Sequence, residues 1–191
     1  MEGSLNLMIE IVATICGLIY IWLLMKENIW CWIFGIISSL LTIYLLLHVR
    51  LYAEAFLYVF YVVMGVYGWF LWYTKETDQG EYKITEWPVI KHVLFVSGGA
   101  ILAFAISQIF ASFTDAARPL VDSLTTVFAL VATFMQAQKI KSNWLYWVVI
   151  NAVSIYLYAD RELYVYSMIF LVYMTLAIFA FVKWERIEKS Y

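Results

Sequence analysis

The chain has 191 residues, 65% hydrophobic, 19% aromatic and only 14% charged, against roughly 25% charged in ordinary soluble domains. Mean hydropathy is +0.83; a water-soluble globule of this size could not hide so much apolar surface, so the excess faces lipid. A net charge of −2 supplies no basic field for a nucleic acid. The two cysteines and two histidines form no metal-ligand spacing, so neither metal nor cofactor is expected.

A helix crosses the hydrocarbon core with about 20 apolar residues. Seven stretches between charge clusters meet that need: about 6–25, 29–48, 51–73, 92–113, 119–138, 143–159 and 163–182. The first is preceded by Glu2 and by no Lys or Arg, unlike a signal peptide, and is expected to remain in the mature protein. The sixth is short. The one long hydrophilic stretch, 74–91, holds Lys75, Glu76, Asp78, Glu81, Lys83, Glu86 and Pro88 and reads as the only sizeable loop. Residues 1–191 therefore read as a single transmembrane domain.

Orientation follows from the basic residues. Lys26, then Lys75, Lys83 and Lys91, then Lys139 and Lys141, then Lys183, Arg186 and Lys189 fall on one side; Arg50, Arg118 and Arg161 fall on the other. The first set belongs in the cytoplasm, which places the N-terminus outside and the C-terminus inside. Trp30, Trp72, Trp144 and Trp184 then lie near the inner interface, where indoles anchor.

An internal repeat appears at an offset of 112 residues. Leu51 and Tyr52 correspond to Leu163 and Tyr164, Tyr44 to Tyr156, Tyr61 to Tyr173, Trp32 to Trp144, Trp72 to Trp184, Thr14 to Thr126, Glu10 to Asp122 and Ser39 to Asn151. The first three spans (6–73) thus echo the last three (119–184), with 92–113 as connector. After four crossings the chain restarts on its original side, so the two triplets run parallel. The expected fold is an all-α membrane protein of two parallel three-helix repeats and a connector. Such repeats are a transporter architecture with substrate at the repeat interface; a duplicated structural subunit is the alternative.

In the sixth span Trp144, Trp147, Asn151, Ser154 and Tyr158 stand at i, i+3, i+7, i+10 and i+14, one helix face. The second span offers a smaller stripe: Trp32, Gly35, Ser39 and Thr42. The fifth supplies Asp122, Thr126, Thr133 and Gln136, and the third and seventh add Tyr58, Tyr61, Tyr166 and Tyr173. Polar groups in a membrane helix face protein or a water-filled cavity, because lipid cannot satisfy them. Indoles with neutral hydrogen bonders suit a flat cationic heteroaromatic ring through stacking and cation–π attraction. They suit an anion poorly. Simpler readings stand beside this one: Trp144 as interface anchor, Trp147 and Asn151 as interhelical packing, and Asp122 as a carboxylate at a helix N-terminus. Glu10 or Asp122 would serve a proton-coupled carrier. No nucleophile elbow or phosphate-binding glycine loop occurs, so an enzyme is not expected, and Gly98-Gly99 reads as close helix contact.

The run Leu51-Tyr52-Ala53-Glu54 through Val66-Tyr67-Gly68-Trp69 to Trp72 resembles the LYA…YGWxxW segment of the PnuC family of bacterial vitamin transporters. Asn143-Trp144-Leu145-Tyr146-Trp147 to Asn151 is similar to that family's NWLxWxxxN helix. Asp122-Ser123 and Trp32 to Gly35 match two further segments. The resemblance implies a three-one-three, SWEET-like helix arrangement and a homotrimer in the bacterial inner membrane. It also implies facilitated diffusion of an unphosphorylated vitamin, without cofactor, trapped by intracellular phosphorylation. Members carry nicotinamide riboside, thiamine (the PnuT group) or riboflavin, and the family's ligand role falls on Trp144, Trp147 and Asn151. Tyr58 stands where the nicotinamide riboside members carry Gln, and the chain starts directly at the seven-helix core. Both features favour thiamine slightly, with nicotinamide riboside next.

Overall fold

In the lipid core no water can satisfy backbone N–H and C=O groups, so each apolar run must close its own hydrogen bonds and becomes a helix. The computed structural model describes residues 2–79, 82–113, 118–160 and 162–190. Among these are seven α-helices: α1 Glu2–Leu24, α2 Cys31–His48, α3 Tyr52–Gln79, α4 Val89–Phe113, α5 Pro119–Ala137, α6 Asn143–Asp160 and α7 Tyr164–Glu188. Six are long and apolar enough to cross a membrane. The exception is α6. It is as long as α2, 18 residues, but Asn143, Asn151, Ser154 and Asp160 dilute its apolar content.

The helices begin and end close to the expected boundaries except at two C-termini. Helix α3 runs to Gln79 and α7 to Glu188, several residues past the apolar stretch. Once nucleated, a helix extends into water at little cost, and near the end of α7 Lys189 pairs with Glu185 one turn away at 2.9 Å. The stretch 74–91 is correspondingly less of a loop than its polarity implies.

Two compact units divide the chain, Met1–Lys83 and Ile84–Tyr191. In the first, α2 packs against both α1 and α3; in the second, α5 packs against α4 and α6, and α6 against α7. Small residues permit the close approaches. Ser38 donates from Oγ to the Ala13 carbonyl at 2.8 Å. A side chain at Gly99 would meet Phe128 of α5 at 3.3 Å, whereas Gly98 faces open space, so one glycine of that pair makes the close contact.

Local geometry recurs at the same offset that relates the sequences. Four non-glycine residues have positive φ among the described residues: Glu27 (55°) and Lys139 (52°), Arg50 (61°) and Glu162 (60°). Each pair is separated by 112 positions. The hydrogen bonds closing the helix ends correspond too. Asn28 N–H donates to the Leu23 carbonyl at 3.0 Å and Ile140 N–H to that of Met135 at 2.9 Å. Leu51 N–H donates to Leu46 and Leu163 N–H to Tyr158, both at 2.9 Å. These six-to-one bonds across a left-handed residue are the Schellman end of a helix.

Candidate substrate-binding site

Helix α6 runs between α5 and α7, so its stripe is enclosed. Trp144, Asn151 and Ser154 are buried and Trp147 is half-buried. The Trp147 ring packs on the cluster of Ala129, Ala132 and Ile150, where two α5 alanines leave room for an indole. Trp144 stands edge-on to Trp184 of α7, with 5.5 Å between ring centroids. From α5, Gln136 and Thr133 are buried, while Thr126 and Asp122 are half-buried. Thr133 Oγ1 donates to the Ala129 carbonyl at 2.8 Å, which satisfies it within its own helix. Tyr158 leaves the stripe, stacking on Tyr166 and Phe170 of α7.

In the first unit Trp32 and Ser39 are buried. Trp32 stands edge-on to Trp72 at 5.4 Å and lies 6.1 Å from Tyr20. A side chain at Gly35 would meet the Tyr20 ring at 3.0 Å; Tyr20 therefore fills the space that makes this stripe look smaller in sequence. Tyr58 and Tyr61 form their own edge-on pair at 5.5 Å. Thr42 donates to the Ser38 carbonyl.

Of the four tryptophans expected near the inner interface, Trp30 is 57% exposed. Trp72, Trp144 and Trp184 are at most 3% exposed, because each packs against another indole of its own unit. Burial leaves polar atoms unpaired. Among the described residues the indole nitrogens of Trp32, Trp144 and Trp147, Ser123 Oγ and Asn143 Oδ1 find no hydrogen-bond partner. Buried indole N–H groups usually find one; on α6 the orphans of Asn143, Trp144 and Trp147 fall in the first two turns, where a polar ligand or water would satisfy them. Asn143 and Ser123 escape a sequence reading based on stripes. The signal for Ser123 is its place beside Asp122 in the DS pair. Asn143 Nδ2 donates to the Ile140 carbonyl at 2.6 Å, so its amide also closes the turn before α6.

A groove of about 870 Å³ opens on the other face of α6. Its walls include Val96 of α4, Leu124 and Phe128 of α5, and Val149, Val153 and Leu157 of α6. None of the predicted site residues lines it. His92, Arg118, Thr125, Ser142, Tyr146 and Tyr156 also line it.

The family described as nicotinamide mononucleotide transporter matches residues 7–186. The chain belongs to that family. The nicotinamide riboside transporter PnuC of Escherichia coli is 31% identical over 197 residues, covering 89% of this chain and 82% of that protein. The PnuC of Haemophilus influenzae is 24% identical over 190 residues, covering 95% and 80%. A crystal structure of the vitamin B3 transporter PnuC has the same fold, with a TM-score of 0.75 at 23% identity over 95% of this chain and 82% of that one. The chain is thus a multi-pass membrane transporter and not an enzyme, and the resemblance drawn from its motifs is borne out.

Proposed function

We propose that this protein takes up nicotinamide riboside, or a closely similar unphosphorylated cationic vitamin, by facilitated diffusion across a bacterial inner membrane. The relationship that carries the proposal is the 31% identity to a protein named for that substrate. Trp144 and Trp147 would stack on the cationic ring, with Asn151 and Gln136 as hydrogen-bonding partners and Thr126 and Asp122 as further contacts. The unpaired indole nitrogens of Trp144 and Trp147 support a polar ligand at this stripe, and no Lys or Arg within it would attract a phosphate. Release into the cytoplasm and phosphorylation there would make uptake one-way without an ion gradient.

The topology that goes with this reading has seven crossings, the N-terminus outside, and α1–α3 and α5–α7 as parallel repeats around the connector α4. The matching helix ends at 112 residues support the repeat. The polar α6 crosses as a helix shielded by α5 and α7. A homotrimer completes the reading.

Thiamine is the second substrate, favoured by Tyr58 in the YVFY run. Proteoliposomes carrying the purified protein decide between them. Saturable entry of labelled nicotinamide riboside, unaffected by collapse of the proton gradient, is the expected result. Entry of thiamine alone would replace the substrate, gradient-dependent entry would make Glu10 or Asp122 a coupling carboxylate, and no entry of either would leave a non-transporting subunit.

A further inference from the structure

The polar segment ahead of α4 is docked onto the turn that starts α6. Ile84 and Trp87 are buried, and Trp87 joins Met135 and Ile140 in one apolar cluster, with Tyr146 packed on it. Thr85 bridges to Ile140 as a parallel pair. Its N–H donates to the Lys139 carbonyl at 3.0 Å, and its carbonyl accepts from Lys141 N–H at 2.9 Å. The Glu86 carboxylate then gathers four donors. The Ser142 N–H reaches it at 3.1 Å and the Ser142 hydroxyl at 2.6 Å. Its own neighbour Trp87 N–H lies at 2.8 Å, and His92 Nε2 at 3.1 Å.

His92 continues the chain of contacts. Its Nδ1 lies 3.1 Å from the Tyr146 hydroxyl, so one imidazole joins Glu86 of the strap to the first turn of α6. Ser142 directly precedes α6, and Tyr146 sits between Trp144 and Trp147. Two anchors on successive turns fix both the start and the rotation of a helix about its axis, since a rotation that preserved one contact would break the other.

We propose that Glu86 and His92 are positioning residues for substrate binding. The strap 84–92 holds the first turn of α6 in the rotation that presents Trp144 and Trp147 to substrate. The inference rests on the site reading above, and adds to it a control point outside the stripe. Glu86 acts through Ser142 and His92 through Tyr146; neither touches substrate.

The test uses the full-length protein in detergent, with nicotinamide riboside as titrant followed by calorimetry, and with amide hydrogen exchange of 142–148 measured without ligand. Glu86→Ala is expected to weaken binding by about tenfold or more, the scale of losing a charge-assisted hydrogen-bond hub. Exchange at 142–148 should accelerate. Glu86→Gln, which keeps an oxygen for Ser142, should recover most of both, and His92→Phe should weaken binding with its ring retained. Combining Glu86→Ala with Trp147→Phe should cost less than the product of the single effects, because both act through the same indole. Folded Glu86→Ala with unchanged exchange at 142–148 overturns the strap, whether or not the riboside binds. Faster exchange with unchanged affinity also overturns it as a positioning device. If Trp147→Phe leaves affinity untouched while Glu86→Ala lowers it, the indole site fails and the strap stands.

Discussion

Trp144 stands edge-on to Trp184, 5.5 Å between centroids and 86° between planes. Trp32 meets Trp72 in the same way, at 5.4 Å and 86°. The four positions are related in sequence by one offset of 112 residues, and so are the left-handed helix ends on either side of α2 and α6. Aromatic edges and faces of opposite partial charge favour this geometry. The pairs pin α2 to α3 and α6 to α7.

The first unit tightens that contact with a glycine. A side chain at Gly68 would come within 2.6 Å of the Trp32 ring. In the second unit the corresponding residue is the buried Ala180. Gly68→Ala is expected to displace Trp32 and lower stability by about 1–3 kcal/mol, the usual cost of overpacking. Thermal unfolding in detergent reads the loss, and an unchanged midpoint would show that the ring moves freely.

Binding should respond most strongly at the α6 stripe. Trp147→Phe keeps an aromatic face but removes the indole N–H and part of the cation–π attraction, worth about 0.5–2 kcal/mol. The expected rise in the dissociation constant is about 2- to 30-fold. Asn151→Ala should act in the same direction, whereas Tyr158→Phe, on a ring that stacks on α7, should bind as wild type. Titration of the three variants side by side checks the ranking.

The left-handed helix ends are sites where stability can be gained. A non-glycine residue in that conformation is disfavoured by roughly 1–2 kcal/mol, and glycine recovers part of it at an entropic cost in the unfolded chain. Arg50→Gly and Glu162→Gly, both at exposed positions, should each raise the midpoint by about 1–2 °C. Calorimetric or fluorescence melts of the single and double variants measure this, and the two increments should add.

Alkaline pH should loosen the tie between the α5–α6 turn and the end of α7. Lys141 Nζ donates to Glu188 at 2.6 Å, and that hydrogen bond raises the lysine above its ordinary value. A raised amine stabilises the fold fully below its unfolded value of about 10.4 and loses that contribution as pH climbs through the folded value. Melting curves from pH 8 to 11.5 should show wild type converging on Lys141→Met at the alkaline end. Parallel curves throughout would mean that the pair contributes nothing.

Much of the architecture is legible in the sequence. A chain that must satisfy its backbone inside lipid has few options, so apolar length located all seven helices, and identities such as Trp32 with Trp144 share one offset with the left-handed helix ends. The motifs around Trp69 and Asn143 led to the right family. The candidate site was legible only as a helix face. Spacing put Trp144, Trp147, Asn151, Ser154 and Tyr158 on one stripe, but not that Trp144 and Tyr158 pack on rings of α7. Trp72, Trp144 and Trp184 looked like interface anchors because depth along a helix can be read from sequence and rotation toward a neighbour cannot.

Composition and hydrophobic period are enough to mark a helical membrane protein with an aromatic, uncharged stripe, and its motifs are enough to point to the family. Only the tertiary structure decided that the polar stretch before α4 is a strap. Glu86 and Ser142 are 56 residues apart, and no periodicity relates them. Their hydrogen bond exists because α4 and α6 both flank α5, bringing one buried turn within reach of one carboxylate.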